Sequence, residues 1–362
     1  MDKLKIQENI SLKEYTSMYV GGLARYFVVV KNLEELKYAL DFAKQKMTPV
    51  FVLGGGSNIL VSDSGFTGLV IKIGISGIAK ILEDDESVSY KVGAGENWDK
   101  FVESCVDSDL FGLENLSHIP GTVGASVVQN IGAYGAEVSN TVVSIDVFDS
   151  KDLKFSNIKK EKLNFSYRKS VLNDPKQDKG RYIVVNVYFR LLKNGKVNTE
   201  YDDLKKYFSE SKSEINLKNT RKAVIEVRNK KFPYPDKPEN GTVGSFWNAE
   251  PVSEKVFNKI ILRLNELGFK AKAKEMEDKK SVFKVKQGYK IPYGVLVEVL
   301  GYRGKKYNGV RILETHAGVI NNFTGKGTAK EVVDLSNEVV ENVYMEFGVR
   351  FRIEPELVGD FG

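Results

Sequence analysis

The stretch "HIPGTVGASVVQNIGAYG" (118–135) limits what this chain can fold into more than any other part of its sequence. Glycine reaches backbone conformations closed to other residues and weakens helices and strands from inside. A run this dense in glycine, with Gln129, Asn130 and Tyr134 inside it, is expected as a long loop and not as a regular element. Long ordered loops in compact domains usually carry function. A flat ligand approached closely by backbone accounts for one.

The flanking sequence supplies the frame. Leu33, Leu36, Leu40 and Ala43 share one helical face, with Asn32 as N-cap and Glu35 in the capping-box position. "VFVL" (50–53) reads as a short buried strand, and "TGLVIKIG" and "VSYKVGAG" as further strands. Trp98, Phe101, Val102, Cys105 and Val106 recur at helical spacing, which makes Cys105 a core residue. "VVSIDVFD" and "YIVVNVYFRLL" are expected in one sheet, and 173–181 as a polar surface loop. A helix at about 217–231 opens a second region, with an amphipathic helix in "EKVFNKIILRLNELG". A last helix begins with the Thr328/Glu331 capping box, and Val349, Phe351 and Ile353 alternate as in a half-buried strand. Strands clustered in some places and helices in others predict an α+β protein of more than one domain.

At 362 residues, two or three domains are expected. One cysteine excludes an intramolecular disulfide and a Cys-based metal site, and no metal is expected. No apolar run is long enough to span a bilayer, and "MDKLKIQENISLKEY" has no apolar signal region, so a cytoplasmic protein is expected. The net charge of +6 suits anionic small molecules and falls short of a nucleic-acid footprint. The basic cluster "RNKKF" (228–232) reads, on its own, as a solvated helix end.

Two short stretches carry the chemistry. "GGGSN" (54–58) follows a strand, as phosphate-cradling loops do, although three glycines alone suit a tight turn equally well. Neither G-x-G-x-x-G nor G-x-x-x-x-G-K-[ST] occurs, which disfavours a Rossmann or P-loop site. In "GTVGSFWNAE", Ser245 lies between a glycine and two aromatic rings. Only His118 and His316 could serve a nucleophile as base, and no serine sits in a G-x-S-x-G elbow. Ser245 therefore needs a different role. The glycine gives its backbone room, and the rings are expected to exclude water.

In order along the chain, "LGGGSNILV", "VGAGENWDKFV", "GLENLSHIPGTVGASVVQNIGAYGAE", "FSYRKS", "GSFWN" and "IEPE" resemble the UDP-N-acetylenolpyruvoylglucosamine reductase family over nearly the whole length. The resemblance implies a vanillyl-alcohol-oxidase/PCMH-type FAD-binding fold of two subdomains plus a separate α+β substrate-binding domain. The implied limits are 1–77 for the first FAD subdomain, 78–216 with 346–362 for the second, and 217–345 for the substrate domain. It implies non-covalent FAD, NADPH as co-substrate, UDP-N-acetylglucosamine enolpyruvate as substrate and a place in peptidoglycan precursor synthesis. No nucleic acid, membrane or obligate protein partner is expected.

By the same resemblance the cofactor-binding positions are Leu53, Gly54, Gly55, Gly56, Ser57, Asn58 and Ile59, then Pro120, Gly121, Val123, Gly124, Ala125, Asn130, Gly132 and Ala133. Arg168, Ser245 and Glu356 fall on the family's three catalytic positions. Tyr134, Tyr167, Tyr201, Arg228, Lys231 and Asn248 fall on the substrate side, Tyr201 being the tyrosine that one subclass folds over the substrate diphosphate. The chain departs from the family in reading "FWNAEP" where two aromatics are usually followed by Lys-Asn-Pro, and in carrying Leu357 after Glu356. The alternatives are a flavin- or nucleotide-binding module without catalysis, a flavin oxidase of the same fold and a basic RNA-binding protein.

Overall fold

The structure is a computed structural model that describes residues 4–175 and 179–362. The middle of the polar stretch 173–181 lies outside the described residues. The chain divides into two compact units. One comprises a segment ending at Ser11, Leu23–Gly56 and Phe66–Lys230; the other comprises Leu12–Gly22, Ser57–Gly65 and Lys231–Gly362.

The first unit holds two sheets. The smaller has the order Gln7–Ser11, Leu23–Val30, Phe66–Ile73, Val50–Leu53, its last three strands running parallel. The helix Leu33–Gln45 packs on it through Leu36, Ala39 and Ala43. Asn32 caps this helix, accepting from the Glu35 N–H at 2.9 Å, while the Glu35 carboxylate accepts from the Lys31 N–H. Such a cap is worth about 1 kcal/mol. Val50–Leu53 is a strand, but of its residues only Leu53 is buried. It lies at the sheet edge, so one flank faces no neighbouring strand, and the expectation of a buried strand is corrected.

The larger sheet is antiparallel, in the order Lys154–Lys159, Val142–Asp149, Tyr182–Leu192, Ser87–Gly93, Ile78–Glu83. Ile183, Val185, Val187, Phe189 and Leu191 alternate onto its buried face. The helix Trp98–Asp107 meets that face; Phe101 and Phe189 lie 5.0 Å apart, and Trp98 Nε1 donates to the Leu116 carbonyl at 2.9 Å. Burying an aromatic side chain of this kind contributes about 2–3 kcal/mol. Cys105 belongs to the same core, and burial pushes its thiol up to about 12. The 118–135 stretch is more regular than expected: Val123–Val128 is a short helix, and Gly132–Ala133 pairs with Ala136–Glu137.

The second unit is organised around the helix Ala329–Phe347. Thr328 and Glu331 form the capping box, and the carboxylate of Asp63 accepts from the N–H groups of Ala329 and Lys330 at 2.9 and 2.8 Å. A negative group here also suits the helix dipole. Gly348, at φ +68°, ends the helix in a left-handed turn. A sheet of Gly241–Ser245, Val319–Asn322, Val310–Ile312 and Lys306–Tyr307 packs nearby. The unit also holds small ladders, among them Trp247–Ala249 with Phe351–Ile353 and Ile59–Val61 in parallel with Glu356–Val358, and the amphipathic helix Glu254–Glu266. Residues 346–362 thus pair inside this unit, whereas the expected limits grouped them with 78–216. The helix Leu217–Lys231 carries its buried face, including Leu217, Ala223 and Val224, in the first unit.

Candidate functional site

In the first unit the edge strand Val50–Leu53 runs into Gly54–Gly56, and this turn lies against the start of the 118–135 segment. A Cβ on Gly55 would stand 2.4 Å from Gly121 Cα, and one on Gly54 would stand 2.9 Å from Ala125 Cβ and 3.0 Å from Thr122 Oγ1. Gly124 is equally confined, 2.6 Å from Ala94 Cβ. Gly56 adopts φ +66°. Backbone meets backbone here, and any side chain would push the two loops apart. Thr122 Oγ1 is buried without a hydrogen-bond partner, an arrangement that costs stability unless a ligand supplies one. This donor set and its glycine-only clearance fit the diphosphate of a dinucleotide cofactor. Leu53, Pro120, Gly121, Val123, Gly124 and Ala125 all belong to this junction or flank it.

Asn130 has a different place. It is fully buried, with Nδ2 donating to Glu137 Oε2 and the Ser166 carbonyl, and Oδ1 accepting from the Ser139 N–H. Its side chain braces the hairpin that carries Gly132 and Ala133. On the adjoining turn, Tyr167 and Arg168 lie between Ser166 and Lys169, which exchange two backbone hydrogen bonds of 3.0 Å. Arg168 takes the left-handed φ of +57°, and its guanidinium lies over the Tyr167 ring at 5.4 Å. A Cβ on Gly132 would lie 3.5 Å from Arg168 Nη1. The turn therefore delivers a charged fork to the end of the glycine-dense segment.

Tyr134 and Tyr201 meet edge to face at 5.3 Å. Tyr134 is buried, which pushes its hydroxyl up to about 12; Tyr201, at the start of the helix Asp202–Ser211, is half exposed. Arg228 Nε donates to the His118 carbonyl at 3.1 Å. His118 itself has φ +61°; its N–H donates to Asp99 Oδ1 at 2.5 Å, and its ring Nε2 pairs with Asn229 Oδ1 at 3.0 Å. Burial is the main cause that lowers its pKa. Arg221 pairs with both oxygens of Asp99. "RNKKF" is thus more than a solvated helix end, since Arg228 and Asn229 both hold the start of the glycine-dense segment.

In the second unit, Asn58 accepts the Glu356 N–H at 3.0 Å and donates through Nδ2 to the Glu354 carbonyl at 3.5 Å. Ser57 precedes this contact, and Ile59 faces Glu356 in the parallel ladder. Ser245 ends its strand just after Gly244, whose φ is +75°. The next residue, Phe246, accepts the Glu354 N–H at 2.9 Å, so the Ser245 and Glu356 segments are tied by backbone. Phe246 and Trp247 are fully buried, and Trp247 Nε1 donates to Ser336 Oγ at 2.9 Å. These rings anchor the strand in the core. Asn248 pairs with Arg352 across the ladder, the Lys231 carbonyl accepts from Thr315 Oγ1, and Leu357 is exposed.

Ser245 and Glu356 therefore belong to one unit, and Arg168, Tyr134, Tyr167, Tyr201 and Arg228 to the other. Thr122, Asp99, Arg221 and Lys72 were not singled out in the sequence. Thr122 lies inside the quoted loop, but nothing in its neighbours signals an orphaned hydroxyl. Among the described residues no cluster of His, Cys, Asp and Glu could hold a metal ion, and no helix is long and apolar enough to cross a membrane.

The class defined by the glycine junction is that of the FAD-binding proteins: the family model for an FAD binding domain matches residues 24–152. The C-terminal domain model of UDP-N-acetylenolpyruvoylglucosamine reductase matches residues 237–358. The UDP-N-acetylenolpyruvoylglucosamine reductase of Flavobacterium johnsoniae is 34% identical over 98% of this chain and 100% of its own. That of Bdellovibrio bacteriovorus is 34% identical over 97% and 99%. The crystal structure of the Thermus caldophilus reductase superposes with a TM-score of 0.61 at 25% identity, covering 99% of each chain. The chain belongs to the UDP-N-acetylenolpyruvoylglucosamine reductase family, with its vanillyl-alcohol-oxidase/PCMH-type FAD-binding fold.

Proposed function

We propose that the protein reduces the enolpyruvyl group of UDP-N-acetylglucosamine enolpyruvate to give UDP-N-acetylmuramate, taking its electrons from NADPH through non-covalent FAD. The product is a peptidoglycan precursor, and the setting is the cytoplasm, where the activity serves cell wall biogenesis, cell shape and division. The observation that carries the reading is the Tyr167–Arg168 turn, which sets a guanidinium beside Gly132 at the end of the glycine-dense segment.

FAD, when bound, supplies a hydride acceptor and donor; the protein supplies placement and electrostatics. Gly54, Gly55, Gly56, Thr122 and the 120–125 backbone hold it, with Ser57, Asn58 and Ile59 continuing the glycine turn. Hydride arriving at one carbon of an enol ether leaves carbanion character on the neighbouring carbon, conjugated to the carboxylate. Arg168 meets that charge with a planar, permanently protonated fork. Ser245 gives the carbanion its proton; so strong a base needs only a weak acid. Glu356, whose N–H is fixed on the Asn58 carbonyl, assists either in its protonated form or by polarising through Arg168 or a water. Tyr134, Tyr167, Tyr201, Arg228, Lys231 and Asn248 receive the sugar nucleotide, the cations facing its diphosphate.

The visible spectrum of the purified protein tests this reading. A flavin band should bleach with NADPH under anaerobic conditions and return when the enolpyruvyl sugar nucleotide is added. A protein that takes up no flavin, or whose reduced flavin is reoxidised by oxygen and not by the sugar nucleotide, overturns it.

A further inference from the structure

Lys72 lies in the interior strand Phe66–Ile73, in register with Leu53 of the parallel edge strand. Parallel strands present ligands at their carboxyl ends, and Lys72 is the second-last residue of its own. Val70 and Ile71 before it are fully buried, so the ammonium is carried at the rim of an apolar sheet, and burial lowers its pKa. It reaches one residue beyond Leu53 and donates to the Gly54 carbonyl at 3.0 Å.

The turn it touches cannot orient itself. Gly54 and Gly55 have no side chain to restrict them, and clearance against Gly121 and Ala125 forbids one. A trans peptide is planar, with its C=O and N–H pointing to opposite sides. Fixing the Gly54 carbonyl on Lys72 therefore turns the Gly55 N–H to the opposite face of the peptide. It also leaves a positive charge within one peptide of any anion the turn receives.

We propose that Lys72 is a positioning residue for the FAD diphosphate: it holds the Gly54–Gly55 peptide in the orientation that offers its N–H to the anion. The proposal rests on the flavin reading above. FAD is titrated into apoprotein stripped of flavin, with binding read from flavin fluorescence, for wild type, Lys72→Met and Lys72→Arg. Lys72→Met should bind FAD about tenfold more weakly or worse, since a charge-assisted hydrogen bond is removed, and Lys72→Arg should recover most of the loss. The apoproteins should melt alike, and the KM for the sugar nucleotide at saturating FAD should stay unchanged. Wild-type affinity in Lys72→Met, or equal loss in both variants, overturns the proposal. A wild-type protein that binds no FAD instead overturns the functional reading itself.

Discussion

Arg221 and Asp99 form a two-bond ion pair, Nη1 to Oδ1 at 2.6 Å and Nη2 to Oδ2 at 3.0 Å, between helices 122 residues apart in sequence. Asp99 also receives the His118 N–H, and His118 in turn receives Arg228 on its carbonyl. One carboxylate therefore fixes the start of the glycine-dense segment and the helix that bears Arg228.

Arg221→Ala should destabilise the protein by about 3 kcal/mol, because it strands a largely buried carboxylate. Burial pulls the Asp99 carboxyl upward, but its bonds to Arg221 and His118 outweigh that and hold it below the usual carboxylate range. A carboxyl whose folded pKa is depressed contributes stability above its unfolded pKa of about 4, and the contribution disappears as pH falls through the folded value. The melting temperature of Asp99→Asn should thus trail wild type at neutral pH, and the gap should narrow as pH falls below about 4. A gap that stays constant from pH 7 to 3 would contradict this assignment.

Gly55→Ala should lose FAD before it loses its fold. The new methyl group would lie 2.4 Å from Gly121 Cα, so one of the two loops has to move at the proposed cofactor junction. Flavin absorbance per protein should fall sharply in the purified variant while its circular dichroism stays native. Full flavin occupancy would show that the junction tolerates separation.

Tyr201→Phe and Lys231→Ala should raise the KM for the sugar nucleotide without changing flavin content. Tyr201 meets Tyr134 edge to face through its ring, so losing only the hydroxyl spares that contact. A charge-assisted hydrogen bond removed from either group costs about 1.5–3 kcal/mol, roughly 10- to 100-fold in KM. Steady-state kinetics decide it, and unchanged KM in both variants would remove these residues from the substrate side.

Ser245→Ala should separate the half-reactions. It should bind FAD and be reduced by NADPH near the wild-type rate, then turn over the sugar nucleotide about 10²- to 10⁴-fold more slowly. Because Phe246 and Trp247 hold the strand in the core, the change should leave the backbone undisturbed. Ser245→Cys should recover part of the loss. Anaerobic stopped-flow at the flavin band measures each half-reaction, and wild-type oxidation of the reduced Ser245→Ala enzyme would exclude the hydroxyl as the acid.

Features set by near neighbours were legible in the sequence. The Asn32 cap, the Thr328/Glu331 capping box, and the apolar stripe from Trp98 to Val106 each need only residues a few positions apart. What escaped depends on distant chain. The exposure of Val50 follows from its strand's place at a sheet edge, and the burial of Phe246 and Trp247 from a helix that begins 82 residues after Trp247. Asp63 looks like any loop carboxylate until that helix arrives to be capped. The candidate site was drawn from motifs, whereas the residues that bond to those segments or to their neighbours, Lys72, Asp99 and Arg221, carry no local mark.

The parallel pairing of Ile59–Val61 with Glu356–Val358 also sets an order of assembly. A ribosome delivers the partners of residues 59–61 last, after nearly every other strand has emerged. Until then Asn58 has no Glu356 N–H to receive, and the serine-bearing ladder lacks Phe351–Ile353. The first unit can close around its own sheets during synthesis, but in the second residues 59–61 wait for their ladder partners. The second unit thus completes its fold only once its last strand, Glu356–Val358, can pair with residues 59–61.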